Sequence, residues 1–308
     1  IGRICTFLCD SDTSFLRIVY FCIRTFVLIG WSRWCDMEKK DFTRQENLCQ
    51  ARFLEAGSCF HVCSQENHTV IFHDEKEFKA VMNIIAFTGF LFRDIHIFTF
   101  EVMSNHLHFA LSGEKDRISC FLHVLVTKLA ADPVLSGSRA SVRKLSFKII
   151  PIGSLDNLRN VISYVNRNGF VVNPAHSPFS YPWGANRYFF NPEAKMRLLA
   201  CGHKATCSLK RELFHSDRLA KEGAVVILDG YVSPACLCRI EDAESFFRSC
   251  WHYFQSVSKN VEASKDIAKE IGESIFYNDD ELFSVVAAMC AKEYGRPSPT
   301  TLSREEKL

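Results

Sequence analysis

The chain has 308 residues, of which 47% are hydrophobic and 23% are charged, a globular composition long enough for one large or two modest domains. A formal net charge of +2 excludes binding of nucleic acid through bulk positive charge, so any such site must be a local basic patch. Fourteen cysteines without the spacing of a small disulfide-bonded domain favour a reducing compartment.

Residues 1–36 differ in character from the rest of the chain. Residues 14–31 are apolar and aromatic, but Arg17 and Arg24 interrupt them at a cost that a transmembrane helix rarely tolerates. A signal peptide is also not indicated, because no small-residue cleavage site follows. Met37 opens a polar segment, so we expect translation to begin near Met37 and residues 1–36 to be an upstream extension.

The central part of the sequence alternates between strand and helix patterns. The predicted strands cover residues 57–65, 94–102, 107–111 and 145–152. The predicted helices cover residues 75–90, 116–131 and 155–168. Asp74 is a predicted N-cap, Asp132-Pro133 closes the second helix, and Gly169 is predicted to end the third. Residues 136–144 are predicted to form a basic loop. The order β-α-β-β-α-β-α predicts an α+β fold with a ferredoxin-like antiparallel sheet and packed helices.

The last third of the sequence predicts a mainly helical region. Residues 173–192 are rich in proline and aromatic residues and indicate an ordered loop or boundary. Beyond them, the clearest predicted helices cover residues 242–263 and 279–294, and Ser303 begins a further helix that the sequence leaves incomplete. We therefore expect an extension (1–36), a catalytic domain (37–190) and a helical region (191–308) that is truncated and is a candidate DNA-binding module.

Two histidines stand two residues apart in the strand-like segment that follows residues 94–102. Side chains at positions i and i+2 of a strand share one face, so His106 and His108 can meet one metal ion while Leu107 turns into the core. The alternative interpretation is a pair of solvated histidines. Tyr164 and Asn168 also share one face, because they are four residues apart on the third predicted helix. Taken alone, Tyr164 would be interpreted as a half-buried helix aromatic.

Three motifs together resemble a known family. Met103-Ser-Asn-His-Leu-His108 resembles the Met-Pro-Asn-His-hydrophobic-His segment of the single-tyrosine HUH transposases, which include the REP-associated tyrosine transposases and small insertion-sequence enzymes. Phe60-His-Val-Cys-Ser-Gln65, followed by Val70-Ile-Phe-His-Asp74, is similar to the family's first strand and the turn after it. Ser163-Tyr-Val-Asn-Arg-Asn-Gly169 resembles the helix with the nucleophilic tyrosine, which commonly contains Tyr-Ile-x-x-Asn-Pro. The resemblance covers residues 57–190.

The resemblance implies an HUH nuclease fold and a metal-dependent transposase acting on single-stranded DNA. It implies that Tyr164 is the nucleophile and that His106, His108 and Asn168 are the metal ligands, a donor set that suits Mg²⁺ or Mn²⁺. Attack by the tyrosine would give a 5′-phosphotyrosine intermediate and a free 3′-hydroxyl, so strand transfer would need no ATP. Two departures, Ser104 and Gly169 where the family usually has proline, indicate a diverged member.

The expected partner is DNA, as single strands or hairpin ends, and a homodimer is possible, with the tyrosine acting in cis or in trans. The protein is expected in the cytoplasm, associated with the nucleoid and not with a membrane. The candidate phosphate contacts are Arg139, Arg143, Lys144, Lys148, Arg159 and Arg167. The candidate stacking residues, which are alternatively a lid packed on the core, are Phe179, Tyr181, Trp183, Tyr188, Phe189 and Phe190.

Three alternatives stay open at this level. The chain could be a domesticated DNA-hairpin-binding protein that has the fold without turnover. It could be a His-x-His metal-dependent hydrolase, which would require the repeated strand–helix units of a barrel. A structural zinc cluster is the third alternative, although its spacing matches no standard finger. The residues of that cluster would be Cys201, His203, Cys207, Cys236 and Cys238.

Overall fold

A computed structural model describes residues 39–64, 70–172, 176–177, 179–222 and 225–258. The predictions for residues 1–36 and Met37, for the helix 279–294 and for Ser303 lie outside these residues. The chain divides into two compact units, Ile1–Asn47 and Leu48–Leu308, and both sheets and the candidate site belong to the second. The predicted division after residue 190 stays a prediction.

Strands and helices alternate through the described part of the chain. The strands are β1 (Cys59–Ser64), β2 (His96–Val102), β3 (Leu107–Ser112), β4 (Phe147–Ile152), β5 (His203–Lys204), β6 (Val226–Leu228) and β7 (Tyr231–Val232). The helices are α1 (Lys39–Glu55), α2 (Glu75–Leu91), α3 (Lys115–Ala131), α4 (Arg139–Val142), α5 (Leu155–Val172), α6 (Pro192–Cys201), α7 (Cys207–Phe214), α8 (Ile240–Ser245) and α9 (Cys250–Val257). Short 3₁₀ turns lie at Asn186–Tyr188 and Pro234–Cys236.

The central sheet has four antiparallel strands in the order β2-β3-β1-β4. The α+β class and the antiparallel sheet with helices, both predicted from the sequence, are confirmed. The N-cap prediction is also confirmed, because the Asp74 carboxylate accepts the N–H of Glu77 at 2.9 Å. The prediction that both histidines lie in one strand needs correction, because β3 begins at Leu107 and holds His108, whereas His106 stands directly before it. β3 lies between two neighbours, so a change in its pairing register would disturb both ladders.

The two faces of this sheet carry different chemistry. On one face, the Phe109 ring contacts Phe100 and the Phe121 ring of α3, which builds the apolar core. The alternate residues of β3 point the other way, and there His108 meets Tyr164 of α5. Alternation along β3 therefore separates a hydrophobic layer from a polar layer beneath α5.

Two local predictions need correction. Residues 136–144 are not only loop, because Arg139–Val142 forms the short helix α4, with Val142 buried in the core. The third predicted helix does not end at Gly169 but continues to Val172. Gly169 is not among the described glycines with a positive φ, so it lacks the left-handed conformation that ends a helix. It packs instead against the Tyr181 ring and donates its N–H to Glu101 at 2.9 Å, so this glycine serves close approach and not a C-cap.

The region after residue 190 also differs from expectation within its described part. It contains a small antiparallel sheet, β5-β6-β7, that the mainly helical prediction missed. The predicted helix 242–263 is broken, since α8 ends at Ser245 and α9 begins at Cys250 with Ser249 as its N-cap. The break lets Phe246 and Phe247 enter the core, where they contact Phe98 and Tyr253, respectively. None of the described helices has the length and apolarity needed to cross a membrane.

Gly169→Ala is expected to lower the free energy of unfolding by about 1–3 kcal/mol, the usual cost of overpacking. A Cβ at this position would lie far inside van der Waals contact with the Tyr181 ring. That ring is held in place, because its hydroxyl donates to the carbonyl of Val102 at 2.7 Å. Urea denaturation measures the change. Gly137→Ala is the matched control, since nothing lies within 4 Å of its added Cβ; equal effects of the two substitutions would contradict the packing argument.

Candidate functional site

Three predicted site residues come together on the polar face of the sheet: His106 directly before β3, His108 of β3 and Tyr164 of α5. The ring centroids of His106 and His108 lie 4.6 Å apart with the planes nearly perpendicular. The Tyr164 ring of α5 meets the His108 ring edge-on at 5.5 Å. β3 and α5 are far apart in the sequence, and the fold brings them together. The two histidines of the His-x-His motif therefore lie beside the helix tyrosine, as predicted.

A third histidine, His61 of β1, joins this cluster although its role was not predicted. Its ring is parallel to that of His108, with centroids 5.7 Å apart and 8° between the planes, and it meets Tyr164 edge-on at 6.1 Å. His61 is fully buried. The signal in the sequence was its place in the strand resembling the family's first strand, but only the β1–β3 pairing brings that strand beside His108.

The imidazoles are held in forms suited to metal binding. Burial lowers the pKa of His108 to about 3, so the ring is neutral at physiological pH, as a metal ligand must be. The Nδ1 atom of His106 lies 2.5 Å from Oδ1 of Asn105. An amide oxygen only accepts, so Nδ1 carries the proton and Nε2 is the unprotonated nitrogen of the ring. Asn105, the Asn of the motif, thereby orients the histidine beside it.

A buried carboxyl group lies next to the histidines and was missed by the sequence interpretation. Glu101 of β2 is directly opposite His108 in the β2–β3 register and is fully buried. Burial raises the pKa of Glu101 well above its ordinary value, while the N–H groups of Gly169 and Asn168 act in the opposite direction. Its Oε2 accepts the Gly169 N–H, whereas Oε1 is buried without a hydrogen-bond partner among the described residues.

The predicted third ligand, Asn168, lies on the same helix surface as Tyr164, one turn later. It is buried, and its Nδ2 has no hydrogen-bond partner within the described segments. Asn168 is also tied to the sheet, because its N–H lies against the Glu101 carboxyl group. Asn168 and Glu101 thus add two oxygen-bearing side chains to the two imidazoles.

The donor types present fit a divalent cation. Two neutral imidazoles, a carboxyl oxygen and an amide oxygen are ligands that Mg²⁺ and Mn²⁺ accept. The buried Glu101 Oε1 has no hydrogen-bond partner among the described residues and is an acceptor that a cation would satisfy, whereas the Asn168 Nδ2 is a donor and would not be satisfied by a cation. Among the described residues, no group of three His, Cys, Asp or Glu side chains is placed so that it could hold a metal ion.

The predicted phosphate contacts divide into two groups. Arg143, Lys144 and Lys148 are exposed. Arg159 and Arg167 are buried to 2% exposure, and Arg159 donates to the Phe246 carbonyl at 2.6 Å and pairs with Asp156.

The geometry therefore gives Arg159 a structural role and places Arg167 away from solvent. Arg139 is half-buried, with its Nε enclosed and not hydrogen-bonded within the described chain.

The predicted aromatic segment packs mostly on the core. Tyr188 and Phe189 are buried, and Tyr181 contacts Gly169. Trp183 is half-buried and lines a surface cleft with Phe78.

The residues of the proposed zinc cluster do not assemble in the described part of the chain. Cys201, His203 and Cys207 are exposed, whereas Cys238 is buried. None of the described cysteines forms a disulfide bond.

The chain matches no protein-family model, no curated protein and no solved structure. The arrangement of the residues themselves is therefore the basis for assigning a function.

Proposed function

We propose that this protein is a DNA-cleaving and strand-joining transposase of the single-tyrosine HUH type, with the corresponding nuclease fold. One observation carries the proposal: Tyr164 of α5, His108 of β3 and His106 directly before β3 form one ring cluster on the polar face of the sheet. The βαββαβ strand order supports it, because that order places β3 centrally and leaves one face for α5.

In this proposal, Tyr164 attacks a DNA phosphate. A bond forms between its phenolic oxygen and phosphorus, the bond from phosphorus to the 3′ oxygen breaks, the phenolic proton leaves, and the 3′ oxygen takes up a proton. The product is a 5′-phosphotyrosine linkage, which a second 3′-hydroxyl can resolve by the reverse reaction. The neighbouring rings of His108 and His61 both contact the phenol ring edge-on and so fix its approach.

The residues that would hold a divalent ion are His106, His108, Glu101 and Asn168. When bound, Mg²⁺ or Mn²⁺ would supply positive charge that polarises a phosphoryl oxygen and favours the phenolate form of the nucleophile. Asn105 keeps His106 in the tautomer whose Nε2 is unprotonated. The Gly169 N–H holds the Glu101 carboxyl group in place, which proline at this position, the usual family residue, could not do.

A row of side chains leads from this site to the sheet edge. Glu101, His108, Cys63 and Lys148 are successive partners across β2, β3, β1 and β4, so they share one face. Lys148 is exposed on the outer strand, and Arg143 and Lys144 are exposed just before that strand. These three cations suit a DNA strand that enters along β4 towards the histidines.

The site is closed in this arrangement. Tyr164, His106 and His108 are each at most 5% exposed, so DNA binding must uncover the phenol before attack. This burial also supports a second candidate, a domesticated protein that binds DNA hairpins without turnover. The hydrolase alternative lacks its scaffold here, since the described chain forms an open antiparallel sheet and no repeated strand–helix units.

The test is a covalent adduct between the protein and labelled single strands from the DNA that flanks its gene. We expect an adduct on a denaturing gel in the presence of Mn²⁺ and none in EDTA, and mass spectrometry should locate the nucleotide on Tyr164. A hairpin gel shift without an adduct would favour the domesticated binder. Absence of both would overturn the proposal.

Glu101→Gln is expected to weaken Mn²⁺ binding at least about tenfold, because an amide replaces a carboxylate ligand. In EDTA, the variant should melt no lower than the wild type, since glutamine can accept the same Gly169 N–H without burying a charge. Calorimetric titration and thermal melts measure the two effects. Glu77→Gln is the control, a buried glutamate of α2 that binds the His73 N–H; an unchanged Mn²⁺ affinity in Glu101→Gln would remove Glu101 from the ligand set.

A further inference from the structure

A surface cleft of about 370 Å³ lies between α2, α3 and the segment that follows α7, and it has no role in the chemistry described above. Its walls combine apolar side chains with cations. The apolar ones are Phe87, Leu91, Phe92 and Val124, and the polar ones are Arg117, Lys128, Ser216 and Arg218. None of the described residues that line this cleft is acidic. Such a lining suits a ligand that is anionic and partly apolar.

The sheet separates this cleft from the candidate site. Phe92, which lines the cleft, contacts the Phe121 ring of α3, and Phe121 contacts Phe109 on the apolar face of the sheet. Tyr164 lies on the other face, where it meets His108. A ligand in the cleft would therefore be held apart from the reacting groups.

Two cations of the cleft have no carboxylate partner. The Lys128 Nζ atom lies 4.5 Å from the centroid of the Phe87 ring. An aromatic ring orients an ammonium group in this way without cancelling its charge. Neither Lys128 nor Arg218 forms an ion pair with any of the described residues. Both charges are therefore available to an anion.

The carboxylates around the cleft are engaged elsewhere. Three of them pair with other cations, namely Asp94 with Arg117, Asp217 with Arg211 and Glu222 with Arg93. Arg117 is thus compensated, although it lines the cleft. Asp132, one helical turn after Lys128, is buried and accepts the N–H of Val134 at 2.8 Å. Lys128 and Arg218 remain as the groups that would bind an anion.

We infer that this cleft binds the sugar–phosphate backbone of DNA, independently of base sequence, on the side of the sheet opposite Tyr164. Lys128 and Arg218 would contact phosphates, and sugars would lie on the apolar wall. The Ser216 hydroxyl can donate to a phosphate oxygen, because its oxygen already accepts the Arg218 N–H at 3.2 Å. The assignment rests on the proposed function in taking DNA as the ligand, and it adds a contact apart from the scissile phosphate.

The test is the salt dependence of DNA binding. Fluorescence anisotropy of labelled dT40, which forms no hairpin, gives a Kd in EDTA at a series of NaCl concentrations. Combining Lys128→Gln and Arg218→Gln should lower the slope of log Kd against log salt by about 1.4, because each phosphate contact on a single strand contributes about 0.7. If the two proteins bind equally at about 1 M salt, the variant should bind about 25-fold more weakly at about 0.1 M. Arg218→Gln alone, at an exposed side chain, should give about half the change in slope.

The matched control combines Arg52→Gln and Lys204→Gln, which remove the same charge at two exposed positions outside the cleft. Its slope should stay within about 0.3 of the wild-type value. An equal fall in slope in the control, an unchanged slope in the cleft variant, or no binding of dT40 would overturn the inference. A lowered slope in the cleft variant alone, without any covalent adduct in Mn²⁺, would overturn the proposed cleavage activity and leave the cleft assignment standing. An adduct together with an unchanged slope would do the reverse.

Discussion

Tyr164→Phe is expected to abolish the covalent protein–DNA adduct, lowering its rate of formation by at least about 10³-fold, because no other group at the site replaces the nucleophilic oxygen. The substitution removes one hydroxyl group and keeps the ring that contacts His108 and His61. The fold should therefore persist, with a change of about 1 kcal/mol in the free energy of unfolding. The measurement is the initial rate of adduct formation in Mn²⁺, alongside a hairpin gel shift that should stay within about threefold of wild type.

Tyr188→Phe is the matched control for this experiment. Tyr188 is also buried and hydrogen-bonded, with its hydroxyl 2.8 Å from Oγ of Ser233, but it lies outside the ring cluster. It should form the adduct at the wild-type rate. An adduct that survives Tyr164→Phe but is lost in another tyrosine variant would move the nucleophile elsewhere in the chain.

His106→Ala is expected to weaken Mn²⁺ binding at least about 100-fold and to remove Mn²⁺-dependent cleavage, because it deletes a direct ligand. His106 is the better choice of the two histidines for this test. His108 contacts three rings at once, so its removal would also leave a cavity under α5. Calorimetric titration with Mn²⁺ and the adduct assay give independent measurements of the two losses.

His123→Ala, an exposed histidine of α3, serves as the control and should change neither quantity. Asn105→Ala should give an intermediate loss of Mn²⁺ affinity, about 10- to 100-fold. The substitution deletes no ligand, but it removes the amide oxygen that keeps the proton of His106 on Nδ1. Wild-type Mn²⁺ affinity in His106→Ala would show that the ion, if bound, is held elsewhere, and the metal-dependent mechanism would fail.

The sequence predicted the elements that local patterns control. Alternation and turn residues located β1, β2, β3 and β4 to within about two residues, and the Asp74 cap marked the start of α2. Local patterns failed where a long-range contact decided the outcome. Gly169 was predicted to end a helix, but it lies inside one and makes close contact with the Tyr181 ring. Phe246 and Phe247 sit in a helical pattern, yet burial against the core breaks the helix there.

The same division holds for the candidate site. The spacing of His106 with His108, and of Tyr164 with Asn168, is visible in the sequence, because periods of two and of about 3.6 residues are properties of single elements. Sheet pairing is not local. Only the tertiary structure showed that Glu101 lies opposite His108 and that the His61 ring stacks on His108. It also showed that Arg159 is buried and donates to the Phe246 carbonyl. These positions depend on strand register and helix packing, which are set by the burial of the whole core.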